Sequence, residues 1–193
     1  MKENITGYIL AGGKSSRLGT DKGLIILKSK PIIEYVINQL KPAVNKIVIV
    51  SSNKEYWKFG FEVITDTIIN SGPAGGIHAA LNNTSTEKNF MVSCDMPFIT
   101  TDSIEYIINE SANYQITVPV FKGKYEPMFA VYSKECFVKW EELIKQGTNK
   151  MMDIINYFKV LKLNVDSTSL FTDSTFININ TPDDLEYAIS IIG

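Results

Sequence analysis

Histidine occurs once in this 193-residue chain, at His78, and cysteine twice, at Cys94 and Cys136, in no metal-ligand spacing. A structural zinc site and a Cys-His nucleophile are set aside on that ground. No apolar run reaches the roughly 20 residues that a membrane-spanning helix needs, and no basic-then-apolar leader is seen. With so little cysteine, the expectation is a reducing, cytoplasmic setting with no membrane partner. A basic excess is missing too. Lys and Arg number 19 against 21 Asp and Glu, a formal net charge of -2, whereas proteins that hold nucleic-acid backbones carry a positive balance. A nucleic-acid partner is not expected, and any positive field has to be local.

Two familiar glycine motifs are also lacking. After Gly13 the next glycine is Gly19, and Lys22 is followed by Gly23 instead of Ser or Thr, so there is no Walker A loop. No G-x-G-x-x-G opens a helix, which gives hydride transfer little support. What stands there is an apolar strand, Ile5 to Leu10, running into Ala11-Gly12-Gly13-Lys14-Ser15-Ser16-Arg17-Leu18-Gly19-Thr20-Asp21-Lys22. Gly12 and Gly13 can turn successive N–H groups toward one anion, Arg17 carries a fork of donors, and Lys22 a compact charge. Such a loop suits a polyphosphate. Lys14 and Asp21 read as residues that cap or solvate it.

The rest of the chain alternates short β-branched runs with amphipathic stretches, with no repeat or low-complexity linker. Strands are predicted at Ile5 to Leu10, Lys46 to Val50, Glu62 to Ile64, Phe90 to Ser93, Ile116 to Val120, Phe129 to Tyr132, Val160 to Leu163 and Phe176 to Asn178. One helix should begin at Pro31 with Ile32, Ile33, Val36, Ile37 and Leu40 inward. Another should begin at Thr181-Pro182 with Leu185, Ala188, Ile189 and Ile192 inward. The reading is one α/β domain over 1–193, a three-layer nucleotide-binding, Rossmann-like fold with a mixed, mostly parallel sheet between helices. Tyr56, Trp57, Phe59 and Phe61 are expected to cover the sheet, Cys94 to fill the core, and Cys136 to share a helical face with Trp140 and Leu143. His78 reads as a structural hydrogen-bonding residue.

Ligands in such sheets collect beyond the carboxyl ends of the strands. Beyond Ile64 come Thr65-Asp66 and then Gly72-Pro73-Ala74-Gly75-Gly76, a helix start able to face an anion or a base edge. Beyond Ser93 come Cys94-Asp95-Met96-Pro97, where Asp95 could hold Mg2+ or serve as a turn residue. A phosphate loop, two cations and a metal-binding carboxylate make up the equipment of phosphoryl or nucleotidyl transfer. No general base stands out. An acceptor phosphate, with a second pKa near 6, would not require one.

The run from Leu10 to Lys22, then Asp66, Gly72 to Gly76, Cys94 to Pro97, and Asn178-Ile179-Asn180-Thr181-Pro182 resembles the molybdenum cofactor guanylyltransferase family over nearly the whole chain. The resemblance implies a nucleotide-binding α/β fold that transfers GMP from Mg-GTP to the phosphate of molybdenum-molybdopterin and releases pyrophosphate. It implies that Leu10, Ala11, Gly12 and Gly13 line the GTP site and that Lys22, assisted by Arg17, contacts the phosphates. By the same likeness Asp66 binds the guanine nucleotide, Asp95 is the Mg2+ ligand, and Asn178 and Asn180 lie on the pterin side. Residues 1–100 would then hold GTP and 101–193 the acceptor. Partner proteins that deliver molybdopterin or chaperone molybdoenzymes belong to the same implication.

The chain departs from that pattern at three places. Ser51 stands where some members have Asn, with Asn53 two positions on. Asn149-Lys150 replaces paired arginines, so Lys150 alone would face the pterin phosphate, and Glu126-Pro127 replaces His-Pro. The alternatives are a transferase using CTP or a sugar phosphate, and a nucleotide-binding module without turnover.

Overall fold

The computed structural model describes residues 4–12, 21–66, 68 and 71–192. In chain order the elements are β1 (Ile5–Leu10), β2 (Ile26–Leu27), β3 (Lys30–Pro31), α1 (Ile32–Leu40), β4 (Lys46–Val50), β5 (Glu62–Ile64), α2 (Gly72–Asn83) and β6 (Lys88–Ser93). They continue with α3 (Thr101–Asn109), β7 (Ile116–Phe121), β8 (Lys124–Tyr125), β9 (Phe129–Ser133), α4 (Phe137–Lys145), α5 (Met151–Ile155), β10 (Val160–Asn164) and α6 (Pro182–Ile191).

Among the described residues one sheet runs in the order β10-β7-β9-β6-β1-β4-β5, with β8 paired to β7 and a separate β2-β3 hairpin. β1 pairs in parallel with β4 and β6, β4 with β5, and β10 with β7. β9 lies antiparallel between β6 and β7. This is the mixed, mostly parallel α/β sheet that the alternating pattern predicts.

Every residue of β1 is buried, because both faces of the sheet are covered. Ile9 points into a core shared with Ile33, Val36 and Leu40 of α1 and Ile104 and Ile107 of α3. Its neighbours Tyr8 and Leu10 point the other way, to Ala74 and Ile77 of α2, Trp140 of α4 and Ile154 of α5. The period-two alternation of a strand thus serves two apolar layers at once. All five α1 residues predicted inward are buried. For α6, Thr181 caps through a reciprocal bond with Asp184 and Ala188 is buried.

Three expectations are corrected. Phe176 to Asn178 is not a strand: the Ile177 N–H donates to Ser174 O within a turn, and the Asn178 side chain donates to Phe176 O at 3.1 Å, so local bonds take the groups that a ladder needs. Ile189 is 43% exposed and Trp57 63% exposed. α6 is short and meets the β2-β3 hairpin with one side only, so the pattern of apolar positions overstates its buried stripe.

α4 is fastened to α2 by the indole of Trp140, which donates to Ala74 O at 2.9 Å from a fully buried position. Trp140→Phe keeps an aromatic body but leaves that carbonyl short of a partner. Denaturant unfolding should show a loss of about 1–3 kcal/mol. A variant as stable as the parent would mean that the bond does not anchor the helix.

Candidate functional site

The sheet order doubles back beside β1. After β1 the chain builds β4 and β5 on one side, then returns through α2 to place β6 on the other. Ligands in open α/β sheets bind at such a reversal, beyond the carboxyl ends of the strands. Register puts Leu10 opposite Ser93 and Val50, and the Cys94 N–H donates to Leu10 O at 3.1 Å, so three strand ends open at one place.

A cavity of about 450 Å3 lies there. Its floor is made by Leu10, Gly12 and Val50, one side by Ser51, Ser52, Thr65 and Asp66, and another by Gly72, Pro73 and Gly76 at the start of α2. Asp21, Lys22, Ser93, Cys94, Asp95 and Met128 complete it. The size suits a small ligand with a few convergent polar groups.

Lys22 and Asp95 meet in the lining of this cavity, Nζ to Oδ2 at 3.0 Å, with side chains 28% and 6% exposed. They are 73 residues apart in sequence. The second Asp95 oxygen accepts from Ser93 Oγ at 2.5 Å, so the carboxylate is aimed by its own strand. Lys22 Nζ also donates to Asn180 Oδ1, and the Asn180 amide in turn donates to Asn178 O at 3.2 Å. The Ile179 N–H donates to Asp95 O at 3.0 Å, which seats the whole 178–180 segment against the loop after β6. The Asn180 N–H, followed by the Thr181 cap, holds the Asp184 carboxyl below the usual range and stiffens the same segment.

Asp66 occupies the opposite wall. Its Oδ1 accepts from Ile68 N–H at 2.8 Å, and Oδ2 lies 2.3 Å from where a Cβ on Gly75 would stand. Only a glycine in the first turn of α2 admits the carboxylate so close to the helix N-terminus, whose free N–H groups favour negative charge. α2 starts at Gly72 with φ +53, in the left-handed region, and its cap residue Ser71 makes no side-chain cap bond.

Of the residues singled out by sequence, the structure gathers Leu10, Gly12, Lys22, Asp66 and Asp95 at the cavity and ties Asn178 and Asn180 to it through Lys22. Ala11 sits just behind, its methyl in the core and its N–H donating to Val50 O at 2.9 Å. Lys150 is exposed at the cap of α5 and is not part of the cavity lining. Gly13 and Arg17 lie outside the described residues. His78 is buried and faces Glu141 at 3.4 Å on the α4 side, away from this chemistry.

Tyr56 and Asn53 both reach Asp21 of the cavity lining, a link that the sequence does not signal. Tyr56, read as sheet cover, is fully buried and its hydroxyl donates to Asp21 Oδ1. Asn53 donates to Asp21 Oδ2 at 3.4 Å, and its N–H donates to Ser51 Oγ at 3.1 Å. Burial holds the Tyr56 phenol far above its usual range, and the neighbouring Cys94 and Asp21 add to that. Burial likewise pushes the Cys94 thiol up, with the Asp95 and Asp21 charges behind it. Both stay protonated at neutral pH, so Cys94 is a packing residue here.

Residues 7–162 match the model of the MobA-like NTP transferase domain. A probable molybdenum cofactor guanylyltransferase of Natranaerobius thermophilus is 37% identical over 202 residues, covering 100% of this chain and 98% of that protein. A molybdenum cofactor guanylyltransferase of Vibrio parahaemolyticus is 38% identical, with 92% and 91% covered. Among solved structures, molybdopterin-guanine dinucleotide biosynthesis protein A from Archaeoglobus fulgidus superposes with a TM-score of 0.83 at 28% identity, covering 97% of this chain and 98% of that one. With a glycine loop, a cation and a strand-end carboxylate on a doubly wound sheet, and with full-length relatives of that kind, this chain belongs to the MobA-like NTP transferase domain family.

Proposed function

We propose that the protein transfers GMP from Mg-GTP to the phosphate of molybdenum-molybdopterin, giving the guanine dinucleotide form and pyrophosphate. The observation that carries this reading is the Lys22–Asp95 pair in the lining of a nucleotide-sized cavity at the reversal of the sheet. The full-length relatives named as molybdenum cofactor guanylyltransferases support the choice of base and acceptor.

An acceptor phosphate oxygen attacks the α-phosphorus of GTP; that P–O bond forms as the bond to the bridging oxygen breaks, and pyrophosphate leaves with the electron pair. The acceptor is already ionised at neutral pH, so no side chain has to take a proton. Lys22 turns its ammonium from Asp95 and Asn180 toward the phosphates and stabilises charge that grows on the leaving oxygens. Leu10 and Gly12 leave room for the nucleotide, with Gly13 and Arg17 proposed to continue the same cradle. Asp66, fixed by Ile68 N–H, has lone pairs to spare for guanine N–H groups.

The donor set fits Mg2+. Among the described residues no three metal-ligating side chains cluster, and Mg2+ commonly takes one or two carboxylates, waters and substrate phosphate oxygens. Asp95 would be that carboxylate. When bound, the ion would supply positive charge that offsets the phosphate charge.

On the acceptor side, Asn178, Asn180 and Lys150 are the proposed contacts, which leaves residues 101–193 with the pterin and residues 1–100 with GTP. A protein that brings molybdopterin, in the cytoplasm, belongs to this reading. Glu126 lies half-buried two residues before Met128 of the cavity. Burial pushes its carboxyl up to about 7, with Lys124 opposing. At neutral pH a good share is therefore uncharged, which lessens its repulsion of an anionic acceptor.

Pyrophosphate release with each of the four nucleoside triphosphates and molybdopterin tests the reaction. GTP should far exceed the others, and faster release with CTP would install the cytidylyl alternative. Lys22→Ala should lower kcat/KM for GTP by about 10²-fold, the scale of losing one charge-stabilising donor. Unchanged kinetics would remove it from the phosphates. Asp95→Ala should abolish metal-dependent turnover and also erase the gain in GTP affinity on adding Mg2+, a gain that survives if the ion is held elsewhere.

The Glu126 shift has a sign that thermal melts can read. The folded pKa of about 7 lies above the ordinary 4.5, so the folded state binds the extra proton; this group's contribution to stability is present below about 4.5 and lost as pH rises through about 7. Glu126→Gln should narrow the difference in Tm between pH 5 and pH 8. An unchanged difference would mean that the carboxyl titrates normally.

A further inference from the structure

Asp21 poses an electrostatic difficulty. It lines the cavity, next in sequence to Lys22, where a free carboxylate would repel a polyphosphate or capture the lysine. Yet the Lys22 ammonium bonds to Asp95 and Asn180, while both Asp21 oxygens are taken up elsewhere. Oδ1 accepts from the Tyr56 hydroxyl and from Gly23 N–H at 3.3 Å, and Oδ2 from Asn53 Nδ2.

The two side-chain donors come from the turn that follows β4. Asn53 caps the 3-10 turn Lys54–Phe59, and Ser51, which accepts the Asn53 N–H, is part of the cavity rim with Ser52. Tyr56 is fully buried beneath the loop. A Cβ on Gly23 would stand 2.5 Å from its hydroxyl oxygen and 3.2 Å from Cys94 Cβ and Sγ, so phenol, glycine and thiol are packed to contact.

We propose that Tyr56, with Asn53 and Gly23, is a positioning clamp: it turns Asp21 away from the nucleotide phosphates and fixes the Lys22 backbone relative to the Ser51–Ser52 rim. The inference rests on the reading that Lys22 meets GTP phosphates. It goes beyond that reading in tying the rim to the phosphate cation: a nucleotide that seats poorly at Ser51–Ser52 disturbs Asn53, hence Asp21, hence Lys22. Tyr56 touches no substrate atom and acts through its neighbours.

A double-mutant cycle separates this from simple core packing. Tyr56→Phe keeps the ring and removes only the hydroxyl; losing one hydrogen bond to a charged group predicts a fall in kcat/KM with GTP of about tenfold or more. In a Lys22→Ala background the same change should cost less than about twofold, since its route of action is gone. Equal losses in both backgrounds would overturn the clamp and leave Tyr56 as core filling. The cycle is read a second time in equilibrium GTP binding, which needs no acceptor, and absence of coupling in both readouts counts against the proposal. Gly23→Ala, which pushes on the hydroxyl from the other side, should show the same coupling to Lys22→Ala. Failure of the parent reading looks different: the unmodified protein itself would release no pyrophosphate from GTP and molybdopterin.

Discussion

Everything at the candidate site follows from the confinement of β1. The strand is buried along its length, with a parallel neighbour on each edge and helices on each face. A polar chain cannot continue in that environment, because each step would bury groups without partners. It has to emerge where β6 and β4 also end, and what emerges is the glycine loop. Parallel pairing adds the second half of the constraint. Register sets Leu10 against Ser93, so the residues two places beyond, Gly12 and Asp95, open on the same crevice. The meeting of Lys22 with a carboxylate 73 residues away is thus a consequence of strand direction, not of any local attraction.

That meeting also balances charge. Lys22 keeps about a quarter of its side chain in contact with solvent while Asp95 is nearly enclosed. An enclosed carboxylate without a cation or hydrogen bonds would be costly, and here Ser93 and Lys22 answer it. In the proposed reaction the partners are exchangeable: an arriving nucleotide would bring phosphate oxygens for the ammonium, and a divalent ion positive charge for the carboxylate. A site arranged this way holds its charged groups in place without committing them, which suits transfer chemistry driven by positioning and charge.

The strands were legible because burial on both faces leaves continuous β-branched runs such as Ile47 to Val50, and α1 because its five apolar residues repeat at three and four. Asp66 and Asp95 were legible because each stands two residues beyond a strand, and Lys22 because it closes the glycine-rich run that follows β1 in the sequence. The Tyr56 hydroxyl was not. Its partner Asp21 is 35 residues away, and an aromatic cluster reads the same whether its polar tip is idle or bonded. The Phe176 to Asn178 segment misled in the opposite sense: it looks like a strand, but asparagine side chains bonding to the adjacent backbone hold it and the residues through Asn180 as an irregular strap. Ile189 failed because periodicity counts apolar positions without knowing how much of a short helix the core can reach.

The strap links the two halves of the chain a second time, beyond the β6–β9 pairing within the sheet. Its Ile179 is buried with Ile25, Leu27 and Ile32 beside the β2-β3 hairpin, and its N–H is bonded to Asp95 O. The residues placed by resemblance on the acceptor side are therefore mechanically continuous with the loop that carries Asp95 and with the ammonium of Lys22. A change of position in one is felt by the other two through direct hydrogen bonds, with no intervening flexible segment among these contacts. In the proposed reaction the acceptor phosphate must arrive in line with the α-phosphorus, and a shared set of bonds around Lys22 gives both substrates the same reference point. Fixing one ammonium from both sides is the simplest way for a single sheet edge to align two anionic molecules that would otherwise repel each other.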